Sequence, residues 1–356
     1  MRICFFSGDI GRSGGTERVT AVIASALAEA GHNVSILSLS RGQGSFFPIH
    51  PTVRLHSLHM EFHSANLSDW KIWWRLRIFI KEERIERLID VDTGLSWYSI
   101  VATWRSRTKV ISWEHFYLFT NVGDIFQRLR RSIGRRMASR WAYKLVTLTE
   151  NDRQHYLTYF PCRAQVVVIL NPVTVRSAPP SDLNSNTVLA AGRLVPEKGF
   201  DLLLAAWEKV SLSCSEWKLR IVGSGPDELK LRQLAQSLRI QHSIDFVANT
   251  RDIVKEYCEA SLFVCSSRFE GLPLVLIEAK SLGLPIISFK CGGPSFIVRN
   301  GIDGLLVPPG DISALASALL QLMKNEEQRR AMGEIAREDR RFDLAEIVQA
   351  WERVLA

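Results

Sequence analysis

The feature that most constrains this chain is an alternation. Short apolar runs of buried type are each followed by an amphipathic stretch of helical period, and the pattern is laid down twice along 356 residues. Arg2–Phe6 reads as a strand, Ser7–Thr16 as a glycine-rich loop, Glu17–Ala30 as a helix stopped by Gly31, and Asn33–Leu39 as the next strand. Helices near 70–87, 121–142 and 150–159 then alternate with strands near 109–113, 144–148 and 165–169. The stretch 172–186 (PVTVRSAPPSDLNSN) has no periodicity and is rich in Pro, Ser and Asn, so it reads as a linker. The pattern restarts at Thr187–Ala191, with strands at 218–222, 243–247, 261–265 and 285–289 and helices at 200–213, 226–239, 251–259, 274–283 and 311–324. Such runs imply parallel sheets covered on both faces. The expected fold class is α/β: two Rossmann-like, doubly wound parallel-sheet domains, 1–171 and 187–338, facing a central cleft, with 339–356 holding a last helix, Phe342–Leu355. Ligands in such sheets bind outside the carboxyl ends of the strands.

Composition narrows the function. Hydrophobic residues at 46% and charged residues at 23% are those of an ordinary globular protein. No apolar run approaches the ~18 residues of a membrane span, and Met1–Phe6 is too short for a signal peptide. Six cysteines without a Cys-x-x-Cys read as reduced cytoplasmic residues, with no zinc site. The net charge of +8 is uneven: residues 1–185 hold 24 Lys+Arg against 15 Asp+Glu, and 70–144 alone hold 16 against 7. That excess suggests an anionic partner.

The chemistry lies on loops. Gly8–Gly15 ends at a helix start and can bring its backbone close to an anion, but its G-x-x-G-x-x-G-G spacing is not the dinucleotide fingerprint, and a ligand-free tight turn is the plain alternative. Gly192-Arg193-Leu194-Val195-Pro196-Glu197-Lys198-Gly199 puts two cations near one helix N-terminus, where they could neutralise a diphosphate; alone, it would pass for ordinary salt-bridged surface. Val222-Gly223-Ser224-Gly225-Pro226 also follows a strand, although Pro226 can start a helix without any ligand. In Arg268-Phe269-Glu270-Gly271-Leu272-Pro273-Leu274-Val275-Leu276-Ile277-Glu278-Ala279, Glu278 lies inside a very apolar helix. Burial there is costly unless something bonds to it, and the paired hydroxyls of a ribose would. Glu270 would sit at the mouth of the cleft, near a sugar.

With these four motifs in this order, the chain resembles the retaining glycosyltransferases of family 4, over nearly its whole length and most closely the members that build bacterial capsule, exopolysaccharide or O-antigen chains. The resemblance implies the GT-B fold, a nucleotide-sugar donor, taken as a UDP-sugar, and a last helix that crosses back onto the first domain. Residue by residue, it implies Glu278 on the donor ribose and Glu270 facing the donor sugar. The N–H groups of Gly271 and Leu272 would bind the sugar hydroxyls, and Arg193 and Lys198 the diphosphate. Gly14 and Gly15 would contact the donor from the first domain, the base would lie near Phe246 and Val247, and His115 would approach the transferred sugar. No cofactor is expected. Asp90-Val91-Asp92 imitates a metal-binding Asp-x-Asp, but it reads better as a helix-to-strand boundary, since Arg193 and Lys198 can stabilise a departing diphosphate without a metal.

Three rivals remain at this level: another sugar-nucleotide enzyme of similar fold, such as an epimerase or a phosphorylase, a basic nucleic-acid-binding protein, and an inactive binding module. No pyridoxal-lysine motif and no nucleic-acid module accompanies them, and the Glu270/Glu278 pair is intact. Two basic helices carry the last expectation. In 70–81, Ile72, Trp73, Leu76, Phe79 and Ile80 form a core stripe, while Trp70, Trp74 and Ile78 sit among Lys71, Arg75, Arg77 and Lys81. In 121–142, Phe126, Leu129, Ile133 and Met137 oppose Arg128, Arg131 and Arg135. Solvated basic faces explain the cations. Tryptophans among them suit an anionic bilayer on the cytoplasmic side, with a lipid-diphosphate-linked glycan as acceptor.

Overall fold

A computed structural model describes the chain except residues 41–43, 61–68, 117–124, 176–178 and 251, and the side chains of 69 and 125–127. It divides into two compact units, Met1–Thr174 with Asp343–Ala356, and Val175–Phe342. The first unit runs β1 (Arg2–Ser7), α1 (Gly15–Glu29), β2 (Asn33–Ser38), β3 (Arg54–Ser57), α2 (Asp69–Glu82), β4 (Arg87–Asp90), α3 (Ser96–Ala102), β5 (Lys109–Trp113), α4 (Ile125–Trp141), β6 (Lys144–Thr147), α5 (Glu150–Tyr159) and β7 (Gln165–Val168). The second runs β8 (Thr187–Ala191), α6 (Phe200–Ser211), β9 (Lys218–Val222), α7 (Glu228–Ser237), β10 (Ile244–Val247), α8 (Ile253–Cys258), β11 (Leu262–Cys265), α9 (Leu274–Ser281), β12 (Ile286–Phe289), α10 (Gly292–Ile297), β13 (Gly304–Val307), α11 (Ile312–Lys324) and α12 (Glu326–Arg337); α13 (Leu344–Leu355) returns to the first.

Both sheets are wholly parallel, in the orders β3-β2-β1-β4-β5-β6-β7 and β10-β9-β8-β11-β12-β13. Each order reverses once, between β1 and β4 in the first unit and between β8 and β11 in the second. The central strands are buried along their length (Ile3–Phe6, Val188–Ala190, Leu262–Cys265), so they read as unbroken apolar runs. Trp351 of α13 is fully buried against Trp113 and Phe5, with ring centroids at 4.8 and 6.4 Å.

Several elements differ from the sequence reading. The helix expected to reach residue 87 stops at Glu82, and Arg87 opens β4. Asp90-Val91-Asp92 marks the end of a strand and the start of helical structure, the reverse of the boundary expected: Asp90 closes β4, and the Asp92 carboxylate accepts from Gly94 N at 2.7 Å. Residues 179–186 are bonded into the second unit, where Ser181 N donates to the Leu282 carbonyl at 2.9 Å and Leu183 is buried. On α2 the core stripe is as expected, with Ile72, Leu76 and Ile80 buried and Trp70 and Trp74 exposed. On α4 the expected sides are partly exchanged: Leu129 is exposed and Arg135 is buried, because a buried carboxylate, Glu114, waits for it. Residues 121–124 and the Phe126 side chain lie outside the described residues. No helix among the described residues is long and apolar enough to cross a membrane.

Candidate active site

In the second unit the two loops flanking the switch point carry the expected residues. The loop after β8 holds Arg193 and Lys198, and the loop after β11 holds Glu270. The loops are interlocked through backbone: Arg268 N donates to the Glu197 carbonyl at 2.9 Å, and the Ser266 hydroxyl donates to the Lys198 carbonyl at 3.0 Å. The Arg268 guanidinium grips both Asp201 oxygens at 2.9 and 2.7 Å. Glycines make the close approach possible. A Cβ on Gly223 would collide with the Gly192 carbonyl, and one on Gly293 with the Gly271 carbonyl. The Val-Gly-Ser-Gly-Pro turn thus wedges against the Arg193 loop, and α7 begins only at Glu228, two residues beyond Pro226.

The side chains follow from that frame. Lys198 Nζ reaches Glu270 Oε1 at 2.5 Å, and the Ser267 hydroxyl donates to the same oxygen at 2.7 Å. Burial alone would lower the Lys198 pKa; the facing Glu270 charge and hydrogen bond outweigh it and raise it. Arg193 is exposed, and its side chain has no hydrogen-bond or ion-pair partner among the described residues. The expected pair of cations is therefore asymmetric, one held by a carboxylate and one unengaged. Glu278 is fully buried on α9, and the Tyr257 hydroxyl of α8 donates to its Oε2 at 2.8 Å. Val247 ends β10 with its carbonyl accepting from Gly223 N at 2.9 Å. Gly271 lies against Gly293, and Leu272 is buried just before α9.

In the first unit Gly14 is the N-cap of α1, and Gly15 begins the helix directly after the loop from β1. His115 follows β5, its ring 4.2 Å from that of Trp113. Its Nε2 is buried without a hydrogen-bond partner among the described residues. Burial drives its pKa down to about 4 against the opposing charge of Glu114, so the imidazole is neutral near pH 7. Beneath it lies a polar network the sequence reading missed. Glu114 accepts from Arg135 Nε at 2.7 Å, the Tyr156 hydroxyl at 2.5 Å and the Thr93 hydroxyl at 2.9 Å. Burial would raise the Glu114 pKa; the Arg135 charge and these bonds reverse the shift and lower it. Asp90, also buried, is bonded by the hydroxyls of Ser96, Ser99 and Ser112, yet burial wins and lifts its pKa to about 7.

Tyr257, Ser267 and the Gly292-Gly293 pair are the site residues that sequence reading passed over. Only the Cys-Gly-Gly-Pro run at 291–294 offered a local signal; Tyr257 reaches Glu278 from a different helix. Among the described residues, no group of three or more His, Cys, Asp or Glu side chains is arranged to hold a metal ion.

Two parallel doubly wound units, with glycine-wedged loops bearing cations and carboxylates at a strand-order reversal, place the protein among transferases of the GT-B fold. The solved structure of Anabaena HepE with UDP and glucose has the same fold, with a TM-score of 0.81 at 18% identity over 99% of this chain and 98% of that one. Residues 13–176 match Glycosyltransferase Family 4, and 174–339 match Glycosyl transferases group 1. A Haemophilus influenzae protein described as an uncharacterized glycosyltransferase is 34% identical over 99% of both chains. A Campylobacter jejuni GalNAc-alpha-(1->4)-GalNAc-alpha-(1->3)-diNAcBac-PP-undecaprenol alpha-1,4-N-acetyl-D-galactosaminyltransferase is 27% identical over 100% of this chain and 98% of its own. The chain belongs to the group 1, family 4 glycosyltransferases and is an enzyme of that class.

Proposed function

We propose that the enzyme moves a sugar from a UDP-sugar to a hydroxyl of a growing, lipid-diphosphate-linked bacterial surface glycan, with retention of anomeric configuration. The observation that carries this reading is the Lys198–Glu270 pair at the switch point, beside the unengaged Arg193. A bound donor diphosphate draws Lys198 from Glu270 and takes Arg193 as well, and the released Glu270 oxygen turns to the donor sugar. Glu278, bonded by the Tyr257 hydroxyl, is the carboxylate that takes the ribose hydroxyls. The N–H groups of Gly271 and Leu272 meet the sugar hydroxyls, Gly14 and Gly15 bring the α1 N-terminus to the diphosphate, and the base lies beside Val247.

The chemistry is positioning and electrostatics. The bond from the anomeric carbon to the diphosphate breaks while the acceptor oxygen bonds the same face of that carbon. The acceptor proton passes to the phosphate oxygen that leaves, so no protein nucleophile is needed. Neutral His115 supplies one hydrogen bond to a sugar hydroxyl through the Nε2 that no described protein group uses. The UDP in the HepE structure supports the donor, and the undecaprenol-linked acceptor of the Campylobacter relative supports the lipid. Trp70 and Trp74, 57% and 59% exposed among Lys71, Arg75, Arg77 and Lys81, suit docking on an anionic cytoplasmic bilayer surface, where such an acceptor resides.

The test is transfer and hydrolysis across a panel of UDP-, GDP- and ADP-sugars, with calorimetric titration of the free nucleotides. UDP should bind and a UDP-sugar turn over; Glu278→Ala should weaken UDP binding, and Glu270→Ala chiefly lower turnover. Unaltered UDP affinity in Glu278→Ala would remove the ribose assignment. Sedimentation with vesicles should need anionic lipid and fall with salt.

A further inference from the structure

We propose that a crevice at the amino-terminal end of the first sheet, away from the candidate active site, binds a phosphate-bearing ligand. The crevice holds about 460 Å³ and is bordered by Arg77, Lys81, Arg84, Arg87 and Arg107, with Glu86 as its single acid. It lies where α2 and α3 end and β4 and β5 begin, whereas the candidate loops of this unit leave the opposite, carboxyl ends of the strands.

Two of the five cations are fixed. Arg77 Nη1 donates to the Ala102 and Trp104 carbonyls, both at 2.9 Å, and Arg87 to the oxygens of Leu355 and Ala356 at 2.6 and 3.2 Å. Glu86 is spent on the Arg2 backbone N–H at 2.6 Å. The side chains of Lys81, Arg84 and Arg107 have no hydrogen-bond or ion-pair partner among the described residues. A helix dipole accounts for Lys81 at the end of α2. It does not account for Arg107, which precedes a strand, or for the choice of residue 84. Arg84 stands at φ 52°, with Ile85 N bonded to the Ile80 carbonyl at 3.0 Å, the helix-ending position that glycine fills without strain. An arginine kept there puts a guanidinium on the rim.

Unpaired cations around one concavity repel each other until a multiply charged anion enters, and guanidinium forks match phosphate oxygens in pairs. The crevice lining contains no aromatic ring on which a nucleobase could stack, which favours the phosphate itself over a nucleic acid. Two sources share that chemistry, a soluble phosphate compound and the headgroup of an anionic lipid. Trp70, Trp74, Arg77 and Lys81, spaced along one face of α2, run from exposed indoles into the crevice. The crevice stands on its own geometry; only its lipid source rests on the membrane reading above.

The experiment compares the full chain with Arg84→Gly/Arg107→Ala and with Arg193→Ala/Lys198→Ala. Arg84→Gly relieves the backbone, so equal thermal melting confirms that the first variant is folded. Calorimetric titration with inorganic pyrophosphate should show binding that survives Arg193→Ala/Lys198→Ala and weakens about tenfold or more in Arg84→Gly/Arg107→Ala. Flotation with phosphatidylcholine vesicles, with and without phosphatidylglycerol, forms the second arm. Vesicle binding that is lost in Arg84→Gly/Arg107→Ala, without pyrophosphate binding, assigns the site to a lipid headgroup. Binding of neither probe, or no weakening of either in Arg84→Gly/Arg107→Ala, overturns the proposal.

Discussion

Lys198 and Arg193 come from one loop, yet the structure gives them different surroundings. Lys198 is half-buried and tied to Glu270, while Arg193 is exposed. Their motif is legible because both lie within seven residues of one strand end, and Glu270 and Glu278 are legible from a second local run. Tyr257 is not: its hydroxyl meets Glu278 from 21 residues away, and no local spacing encodes that. Ser267 lay in plain view three residues before Glu270, but a serine in a loop carries no chemistry until its bond is seen. If both cations stabilise a leaving diphosphate, Arg193→Ala and Lys198→Ala should each lower kcat about a hundredfold, since one preorganised charge there contributes about 3 kcal/mol. Steady-state rates decide it: a double mutant impaired less than tenfold would remove the diphosphate role.

At the scale of elements, strands with unbroken apolar runs were read within a residue or two, whereas β3, β4 and β13 were missed. β3 is a half-exposed edge strand, and the helix expected over 70–87 overlaps Arg87, the first residue of β4. The α4 periodicity misled for a different reason. A helical wheel assigns arginines outward, and only the buried Glu114 of the neighbouring β5 loop explains why Arg135 turns in. Asp90 at the end of β4 shows the same dependence on neighbours and gives a pH prediction. Its pKa is raised to about 7 when folded, from an ordinary carboxylate value when unfolded, so between about pH 4 and pH 7 the folded chain holds the extra proton. Stability from this group is present below that window and falls as pH rises through it, by at most about 1.4 kcal/mol per unit. Asp90→Asn, which keeps an oxygen for the serine hydroxyls, should flatten the profile of melting temperature against pH over that range. An unchanged slope would show that Asp90 is ionised in the fold.

For the whole molecule, the sequence made two repeats of one pattern plain, and with them two cores. What chain order alone did not provide was a contact address for α13, which follows the second unit in sequence and packs in the first. That address is written in side chains distant in sequence: Trp351 inserts between Trp113 and Phe5, Arg87 donates to the Leu355 carbonyl at 2.6 Å, and Lys144 to the Val354 carbonyl at 2.9 Å. The two cations satisfy carbonyls that a helix end leaves open, and the indole fills core volume. Trp351→Ala should therefore open a cavity worth about 3–5 kcal/mol, almost entirely within the first unit. Hydrogen exchange should show protection falling in β1, β4 and β5 and staying constant in β8, β9 and β11, with a calorimetric transition lowered by about 10 °C for the first unit alone. Equal loss of protection in both sheets would mean that the chain unfolds as one cooperative block. No loss in either would mean that α13 is dispensable to the core it caps.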